Sequence, residues 1–202
     1  MSSRGAQKKE NGFLIVLSAP SGCGKTTVVD RLLKRHSDWE RSVSATTRPP
    51  RVGEKNGEDY FFVSAAEFEA LKSCGELLEH AEVFGNQYGT PQKQVMTAIE
   101  TGKKVILAID IQGAESIKKM LPDKRRRVSV FVLPPSVKIL RERLEGRKTE
   151  TPEEIDRRVE AAQDEIKAAS LYDFTIVNQN VEQTVLEVEN CIEKFEEQRR
   201  KS

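Results

Sequence analysis

Near the start of the chain, a short apolar run typical of a strand is followed at once by apolar residues at helical spacing. The run FLIVL at 13–17 is apolar and long enough for one buried strand. Residues 25–35 then place Val28, Leu32 and Leu33 at helical spacing. The pattern therefore predicts a strand, a turn and a helix in immediate succession.

The same alternation returns from residue 91 and continues to the end of the chain. Strands alternating with helices are typical of a parallel sheet, so the pattern predicts an α/β fold. The predicted elements are helices over 91–100, 113–120 and 136–144, strands over 104–109, 128–133 and 174–177, and a closing helix over 181–198.

Two segments interrupt this alternation. Residues 41–90 carry short strand patterns and turns, with strands predicted over 42–46, 60–63, 77–83 and 86–88 and a helix over 65–74, which indicates an inserted mixed α+β subdomain. Residues 148–170 are helical in pattern, and Thr151 and Pro152 have the types preferred at a helix cap and first position.

The turn between the first strand and the first helix reads SAPSGCGKTT, at 18–27. Backbone N–H groups and the positive end of a helix dipole converge at such a turn, which makes it an anion site. Gly22 and Gly24 permit the backbone angles that wrapping a polyphosphate requires, Lys25 can reach the transferred phosphate, and the Thr26 hydroxyl is placed for Mg²⁺. The turn therefore suits a nucleoside triphosphate, and its candidate binding residues are Ala19, Pro20, Ser21, Gly22, Cys23, Gly24, Lys25, Thr26 and Thr27.

Ala19 stands where the strict G-x-x-x-x-G-K-[ST] pattern has its first glycine. An alanine has a steric cost at positive φ, so we predict a negative φ for Ala19. A Gly-rich turn with a surface lysine is the alternative, and the order of strand, loop and helix disfavours it. Cys23 is more simply a small loop filler than a reactive thiol.

Composition narrows the class of protein further. The 202 residues contain 33 Lys and Arg against 32 Asp and Glu, so net charge provides no general attraction to nucleic acid or to a membrane. Residues 1–11 lack an apolar signal core, and three scattered cysteines suit a reducing compartment. We expect a cytoplasmic protein with a flexible N-terminal tail, and no metal site built on His36 and His80.

The segment SATTRPPR at 44–51 predicts a second anion site. Pro49 and Pro50 favour a polyproline II conformation with about three residues per turn, so Arg48 and Arg51 project from one side about 9 Å apart. Guanidinium groups match phosphate oxygens bidentately. Two solvated arginines in a Pro-rich loop remain the alternative interpretation.

Glu79 follows the apolar pair Leu77 and Leu78 and precedes the turn FGNQYGT at 84–90. A carboxylate can accept both the N1–H and the exocyclic N2–H of guanine, whereas adenine offers no such donor pair. Glu79 is therefore a candidate for guanine selection, although taken alone it also fits a solvated charge at a strand end.

Four segments, SVSATTRPPRVGEKNGEDYFFV, LLEHAEVFGNQYGT, AIDIQG and LEGRKTETPEEIDRRVEAAQ, resemble the guanylate kinase family in order and spacing. The resemblance extends from about Gly12 to Val188. It implies transfer of the γ-phosphoryl group of ATP to GMP, and to dGMP, with Mg²⁺ as cofactor. It also implies a three-layer P-loop kinase core (12–40, 91–146 and 171–202), a GMP-binding subdomain (41–90) and a helical lid (147–170).

The resemblance assigns roles residue by residue. Arg48, Arg51, Tyr60 and Tyr88 are implied to hold the GMP phosphate, and Ser44, Glu79 and Thr90 to read the guanine. Arg147 and Arg158 resemble lid arginines that bridge the phosphates of ATP and GMP, and Asp110 is expected as an acidic base or metal contact. Together with Lys25 and Arg48, these last three are the candidate catalytic residues.

One departure and two alternatives accompany the resemblance. Ala108 occupies a position that is often acidic in the family, so either the GMP contact there is weaker or a neighbouring group or water replaces it. A catalytically inactive, phosphopeptide-binding module of the same fold and a kinase for AMP or CMP are the competing functions. The substrates ATP and GMP are the expected partners, in a monomer or homodimer whose 41–90 and 147–170 segments move on binding.

Overall fold

The computed structural model describes residues 12–146 and 151–201. Within these ranges it contains the following strands: β1 (Phe13–Ser18), β2 (Trp39–Arg41), β3 (Ala45–Thr46), β4 (Phe61–Phe62), β5 (Leu77–Val83), β6 (Asn86–Pro91), β7 (Lys104–Ala108), β8 (Arg127–Leu133) and β9 (Phe174–Val177). The helices are α1 (Lys25–Arg35), α2 (Ala65–Ser73), α3 (Gln92–Glu100), α4 (Ile111–Met120), α5 (Val137–Glu145), α6 (Pro152–Lys167) and α7 (Val181–Lys201).

The larger sheet has the strand order β2-β7-β1-β8-β9, and all of its pairings are parallel. This confirms the parallel sheet predicted from the alternating pattern. In the centre of the sheet, Leu17 of β1 lies opposite Ala108 on one side and Val130 on the other. Every residue of β1 is buried, as expected for a strand covered on both faces.

Helices cover the larger sheet on its two faces and make it the middle of three layers. One face packs against α1 and α7 through side chains such as Ile106, Leu32 and Val188. The opposite face packs against α3 and α4 through side chains such as Leu107 and Ile99. The apolar alternation of β7 explains this division, because successive side chains of a strand point to opposite faces.

The smaller sheet has the order β4-β3-β6-β5 and mixes parallel and antiparallel pairs. Strands β5 and β6 form a hairpin whose turn consists of Phe84 and Gly85, with φ angles of 49° and 73°. Two consecutive positive φ angles match the twist that a two-residue hairpin turn requires. Helix α2 packs on this sheet through Phe68.

Helices α5 and α6 enclose a separate apolar cluster beside the phosphate loop. Leu140 and Leu144 of α5 pack with Ile155 and Val159 of α6, and Cys23 completes the cluster. Helix α6 begins with Pro at its first position after a Thr151 cap, as the sequence predicts. Thr151 accepts a hydrogen bond from the backbone N–H of Glu154, so the helix start is fixed locally.

The structure differs from the sequence-based elements mainly in short strands and at element ends. The strand predicted over 42–46 is reduced to β3, and the sequence analysis missed β2, which pairs Trp39 with Lys104 of β7. A three-residue strand is too short to show a period-2 alternation of apolar and polar residues. It forms because it pairs with a strand that is distant in sequence. The helix predicted over 148–170 ends in a short 3-10 turn, Ala168–Leu171.

No helix among the described residues has the length and apolar character to cross a membrane. The division of the chain into a core, an inserted subdomain and a lid stays a prediction.

We expect Ile106→Ala to lower the free energy of unfolding by about 3 kcal/mol, because it removes a fully buried side chain from the central layer. Val177→Ala is a matched control, since Val177 lies in the same sheet but is exposed, and we expect about 0.5 kcal/mol or less. Urea unfolding at constant m-value measures both. Equal losses in the two variants would contradict the assignment of the core.

Candidate active site

A cleft of about 300 Å³ separates the carboxyl edge of the larger sheet from the smaller sheet and from α6. It collects predicted residues from four distant parts of the chain. Those lining it are Ala19, Pro20, Ser21, Gly22, Gly24, Lys25, Thr26, Thr27, Ser44, Arg48, Arg51, Tyr60, Glu79, Tyr88, Asp110 and Arg158. Cys23 and Thr90 are buried just outside the lining, and Arg147 lies outside the described residues.

The phosphate loop joins β1 to α1 with the backbone angles that the sequence predicts. Gly22 and Gly24 have φ angles of 93° and 82°, and Ala19 does not take a positive φ, which confirms the expectation for that position. Within the described residues, no side chain caps the N-terminus of α1, and its first turn contains no acidic residue. The N-terminal amides and the helix dipole are therefore left available to an anion.

Lys25 begins α1 and reaches across the loop to the edge of the sheet. Its Nζ donates a hydrogen bond to the carbonyl oxygen of Ile109 at 3.0 Å. Burial lowers the pKa of Lys25, while the nearby charges of Asp110 and Glu165 act in the opposite direction. The ammonium group is thus placed in the cleft beside two carboxylates.

Asn178, which follows β9, supports the phosphate loop through a side-chain hydrogen bond to its backbone. This buried side chain donates from Nδ2 to the carbonyl oxygen of Cys23 at 2.7 Å, and its Oδ1 accepts from the Thr184 hydroxyl at 3.0 Å. Cys23 is fully buried, which agrees with its interpretation as a small loop filler. The sequence analysis missed Asn178, because a single asparagine after a strand has no pattern that marks it.

Arg48 is held in place at the end of the cleft formed by the smaller sheet. Its Nη2 donates to both carboxylate oxygens of Glu54 at 2.9 Å, and Nη1 donates to the Pro49 carbonyl oxygen at 2.7 Å. The Tyr60 ring lies 5.4 Å from the guanidinium carbon. Protein groups therefore hold the guanidinium in one orientation.

Arg51 lines the same cleft but is exposed. Its backbone N–H donates to Oε2 of Glu54 at 2.7 Å, so one carboxylate holds both arginine positions. The sequence analysis missed Glu54. Its distances of six and three residues from the two arginines are the only sequence signal, and they do not distinguish it from an ordinary turn carboxylate.

Two tyrosines flank Arg48. The rings of Tyr60 and Tyr88 meet edge to face with centroids 6.0 Å apart. Burial raises the pKa of Tyr60, so its hydroxyl stays protonated and can donate a hydrogen bond at neutral pH. The predicted phosphate-holding side chains thus share one end of the cleft.

Glu79 is a buried carboxyl group, with only 5% of its surface exposed. The Thr90 hydroxyl donates to its Oε1 at 2.6 Å. The other oxygen lies over Gly113, where an added Cβ would come within 2.6 Å of it, so glycine is required for this approach. Burial raises the pKa of Glu79 to about 7, and the charge of Asp110 adds to the effect.

Asp110 caps α4, where its Oδ1 accepts a hydrogen bond from the backbone N–H of Gly113 at 2.9 Å. Ala108 lines the cleft two residues earlier. A further carboxyl group, Glu165 of α6, lines the same cleft, and burial raises its pKa to about 6. The sequence analysis missed Glu165, although its distance of seven residues from Arg158 places both on one face of a helix.

Arg158 extends from α6 into the cleft. Its Nη1 donates to the Ser21 hydroxyl of the phosphate loop at 2.8 Å. Its guanidinium carbon also lies 5.1 Å from the ring centroid of Phe84, at the tip of the β5–β6 hairpin. Arg158 therefore contacts the phosphate loop and the smaller sheet at once.

A phosphate loop on a parallel α/β core, facing a second cationic site across one cleft, defines a P-loop kinase. Comparison with known proteins identifies the kinase family. The family model described as guanylate kinase matches residues 11–195.

Individual relatives agree with the family model. The guanylate kinase of Nostoc sp. is 46% identical over 187 residues, which cover 91% of this chain and 92% of that protein. The guanylate kinase of Clostridioides difficile is 45% identical over 183 residues, covering 91% and 88%. The crystal structure of guanylate kinase from Anaplasma phagocytophilum matches with a TM-score of 0.77 at 40% identity, covering 92% of this chain and 87% of that one. The chain belongs to the guanylate kinase family, and the fold class predicted from its sequence is confirmed.

The raised pKa of Glu79 predicts a specific pH dependence of stability. Because the folded-state pKa of about 7 lies above the ordinary value of 4.5, the folded state binds more protons, and Glu79 increasingly destabilises the fold as pH rises between these values. We expect Glu79→Gln to gain about 2 kcal/mol in unfolding free energy relative to wild type between pH 5 and pH 8.

Urea unfolding of both proteins at the two pH values measures this difference. Glu82→Gln, at an exposed position of the same strand, is the control and should show no such change. A difference between Glu79→Gln and wild type that stays constant with pH would mean that another group titrates.

Proposed function

We propose that the protein transfers the γ-phosphoryl group of ATP to GMP, producing ADP and GDP, with ATP at the phosphate loop and GMP at the smaller sheet. One observation carries this assignment. The cleft places the open N-terminus of α1 opposite a guanidinium that Glu54 orients and a buried carboxylate that Thr90 holds. The first suits a triphosphate, the second a phosphate monoester and the third a purine edge with two donors.

At the donor end, the backbone of the phosphate loop, Lys25 and the N-terminus of α1 bind the ATP phosphates. The oxygen donors there, the Thr26 hydroxyl and the carboxylates of Asp110 and Glu165, suit Mg²⁺, which prefers oxygen ligands and retains water. Among the described residues, no group of three or more His, Cys, Asp or Glu could hold a metal ion. Thr26 is therefore the proposed protein ligand, with phosphates and water completing the shell. When bound there, Mg²⁺ would supply positive charge that neutralises the phosphates.

At the acceptor end, Arg48, Arg51, Tyr60 and Tyr88 bind the phosphate of GMP. Glu54 serves them indirectly, because it fixes the Arg48 side chain and the Arg51 backbone. The cationic site is thus formed before GMP arrives, and less side-chain entropy is lost on binding.

Ser44, Glu79 and Thr90 read the guanine base. The carboxylate of Glu79 accepts N1–H and N2–H, and the Thr90 hydroxyl holds that carboxylate in position. dGMP presents the same base and phosphate and is expected to be a second acceptor. Ala108 supplies no acid at its position, and Glu165 in the same cleft is the neighbouring group we propose in its place.

The acceptor is itself a phosphate with a second pKa near 6, so its oxygen is already a competent nucleophile at neutral pH. A strong general base is unnecessary. The catalytic work falls on cations that align two polyanions and stabilise charge on the transferred group, and arginines in this role contribute about 10³- to 10⁵-fold. Lys25, Arg48, Arg147 and Arg158 are the proposed cations, and Asp110 is their proposed acidic partner.

The lid helix reaches the phosphate loop through Arg158, so we propose that closure of the 41–90 and 147–170 segments completes the site only when both nucleotides are bound. Closure then keeps water from the γ-phosphoryl group. A cytoplasmic location, a monomeric or homodimeric state and the lack of nucleic acid or membrane partners complete the proposal.

An acceptor panel tests the guanine assignment. With ATP as donor, we expect wild type to prefer GMP over AMP and CMP by about 10⁴-fold in kcat/KM, because only guanine satisfies Glu79. Glu79→Gln places an amide N–H₂ near the guanine donors, and we expect kcat/KM for GMP to fall about 10²-fold or more.

Glu82→Gln again serves as the matched control, with wild-type kinetics expected. Undiminished GMP preference in Glu79→Gln would overturn the guanine assignment. Absence of turnover in wild type would instead favour the phosphopeptide-binding alternative.

Glu54 provides a separate test of the phosphate site. We expect Glu54→Gln to weaken GMP binding about tenfold, because Arg48 and the Arg51 backbone lose a charged partner. Guanosine, which lacks the phosphate, should bind equally to both proteins. Calorimetry with GMP and guanosine measures the contrast, with Glu58→Gln as an exposed control in the same loop. Tighter GMP binding in Glu54→Gln would mean that Glu54 competes with the phosphate.

A further inference from the structure

The turn of the β5–β6 hairpin contains a residue whose type conflicts with its backbone conformation. Phe84 has φ of 49°, and among the described residues it is the one non-glycine with a positive φ. Turns of this kind favour Asn, Asp or Gly at this place, since a Cβ in the left-handed region is crowded by the backbone. A bulky aromatic residue there costs folding stability.

Burial of the ring does not explain why phenylalanine occupies the turn. The residue is 51% exposed, so little apolar surface is removed from water. The turn itself would form with asparagine or glycine at the same position. A strained conformation of an exposed aromatic residue at the rim of a substrate cleft points to a role in function.

The contact of the ring supplies that role. The guanidinium carbon of Arg158 lies 5.1 Å from the ring centroid, within the range of a cation–π interaction. The same guanidinium donates to Ser21 of the phosphate loop. Phe84 and Ser21 thus contact Arg158 from the acceptor side and from the donor side of the cleft.

The hairpin that carries Phe84 also carries the residues proposed to bind GMP. Glu79 lies on β5, and Tyr88 and Thr90 lie on β6. The ring that contacts Arg158 stands in the turn that joins these two strands. The position of Arg158 is therefore tied to the acceptor site through Phe84.

We propose that Phe84 is a positioning residue that orients the Arg158 guanidinium toward the phosphates, at the expense of backbone strain in its own turn. The inference rests on the proposed function of Arg158 in phosphoryl transfer. It adds a contact between the acceptor sheet and the lid helix, so that the catalytic cation is oriented from both sides of the cleft.

Three substitutions separate the ring from the strain. Phe84→Asn removes the ring and relieves the strain, so we expect Tm to rise by about 2 °C or more, while kcat falls about tenfold through loss of orientation. Phe84→Leu removes the ring but keeps a side chain that is strained at this φ angle. We therefore expect kcat to fall by a similar factor and Tm not to rise. Phe84→Tyr retains the ring face and should retain wild-type kcat. Steady-state kinetics at saturating ATP and GMP and thermal unfolding measure these effects.

The inference is supported if Phe84→Asn raises Tm and lowers kcat while Phe84→Tyr keeps the wild-type kcat. Wild-type kcat in Phe84→Asn or Phe84→Leu would overturn it. Loss of kcat together with a lower Tm in Phe84→Asn would also overturn it, because the residue would then act through the fold.

A double-substitution cycle distinguishes this inference from the proposed function. We expect the single substitution Arg158→Ala to lower kcat. Adding Phe84→Leu to Arg158→Ala should then cause little further loss of kcat. Wild-type kcat in Arg158→Ala would refute the proposed role of Arg158 itself. If Arg158→Ala lowers kcat and Phe84→Leu lowers it by its full factor in both backgrounds, Phe84 does not act through Arg158 and only the further inference fails.

Discussion

The parallel pairing of β1 with both β7 and β8 is the constraint on which the rest of the structure depends. Parallel strands end at one edge of the sheet, so the phosphate loop after β1 and the Ile109–Asp110 corner after β7 are adjacent. The hydrogen bond from Lys25 to Ile109 joins these two ends directly. The apolar side chains of β1 are buried on both faces of the sheet and stabilise this arrangement, while the polar residues lie in the loops beyond the strand.

The cationic groups of the cleft have acidic neighbours. Carboxylates accompany the cations: Glu54 holds Arg48, and Asp110 and Glu165 lie near Lys25. Buried charges are costly unless they are paired, and these pairings keep the cationic groups ordered. The carboxyl groups differ in their burial, so the pKa values of Glu79 and Glu165 are both raised but to different values.

Sequence reasoning predicted the elements that have local patterns and missed those defined by distant contacts. The phosphate loop, the alternation of strands and helices and the capped start of α6 were all predictable, because glycines, periodic apolar residues and Thr-Pro signals act locally. Strand β2 depends on pairing with β7, and Asn178 depends on the Cys23 carbonyl, so neither has a local signal. Glu54 and Glu165 are ordinary charged residues in sequence, and only folding places them beside Arg48 and Lys25. The individual roles proposed for the site residues stay predictions, including that of Arg147 outside the described residues.

The hydrogen bond from Asn178 to Cys23 spans 155 residues of the chain. The phosphate loop stands near the beginning of the sequence, yet the asparagine that supports it stands near the end. During synthesis, the phosphate loop therefore emerges long before the residue that supports it. This support becomes available to the loop only after β9 has been made, so the first motif of the chain is completed by a residue that follows β9.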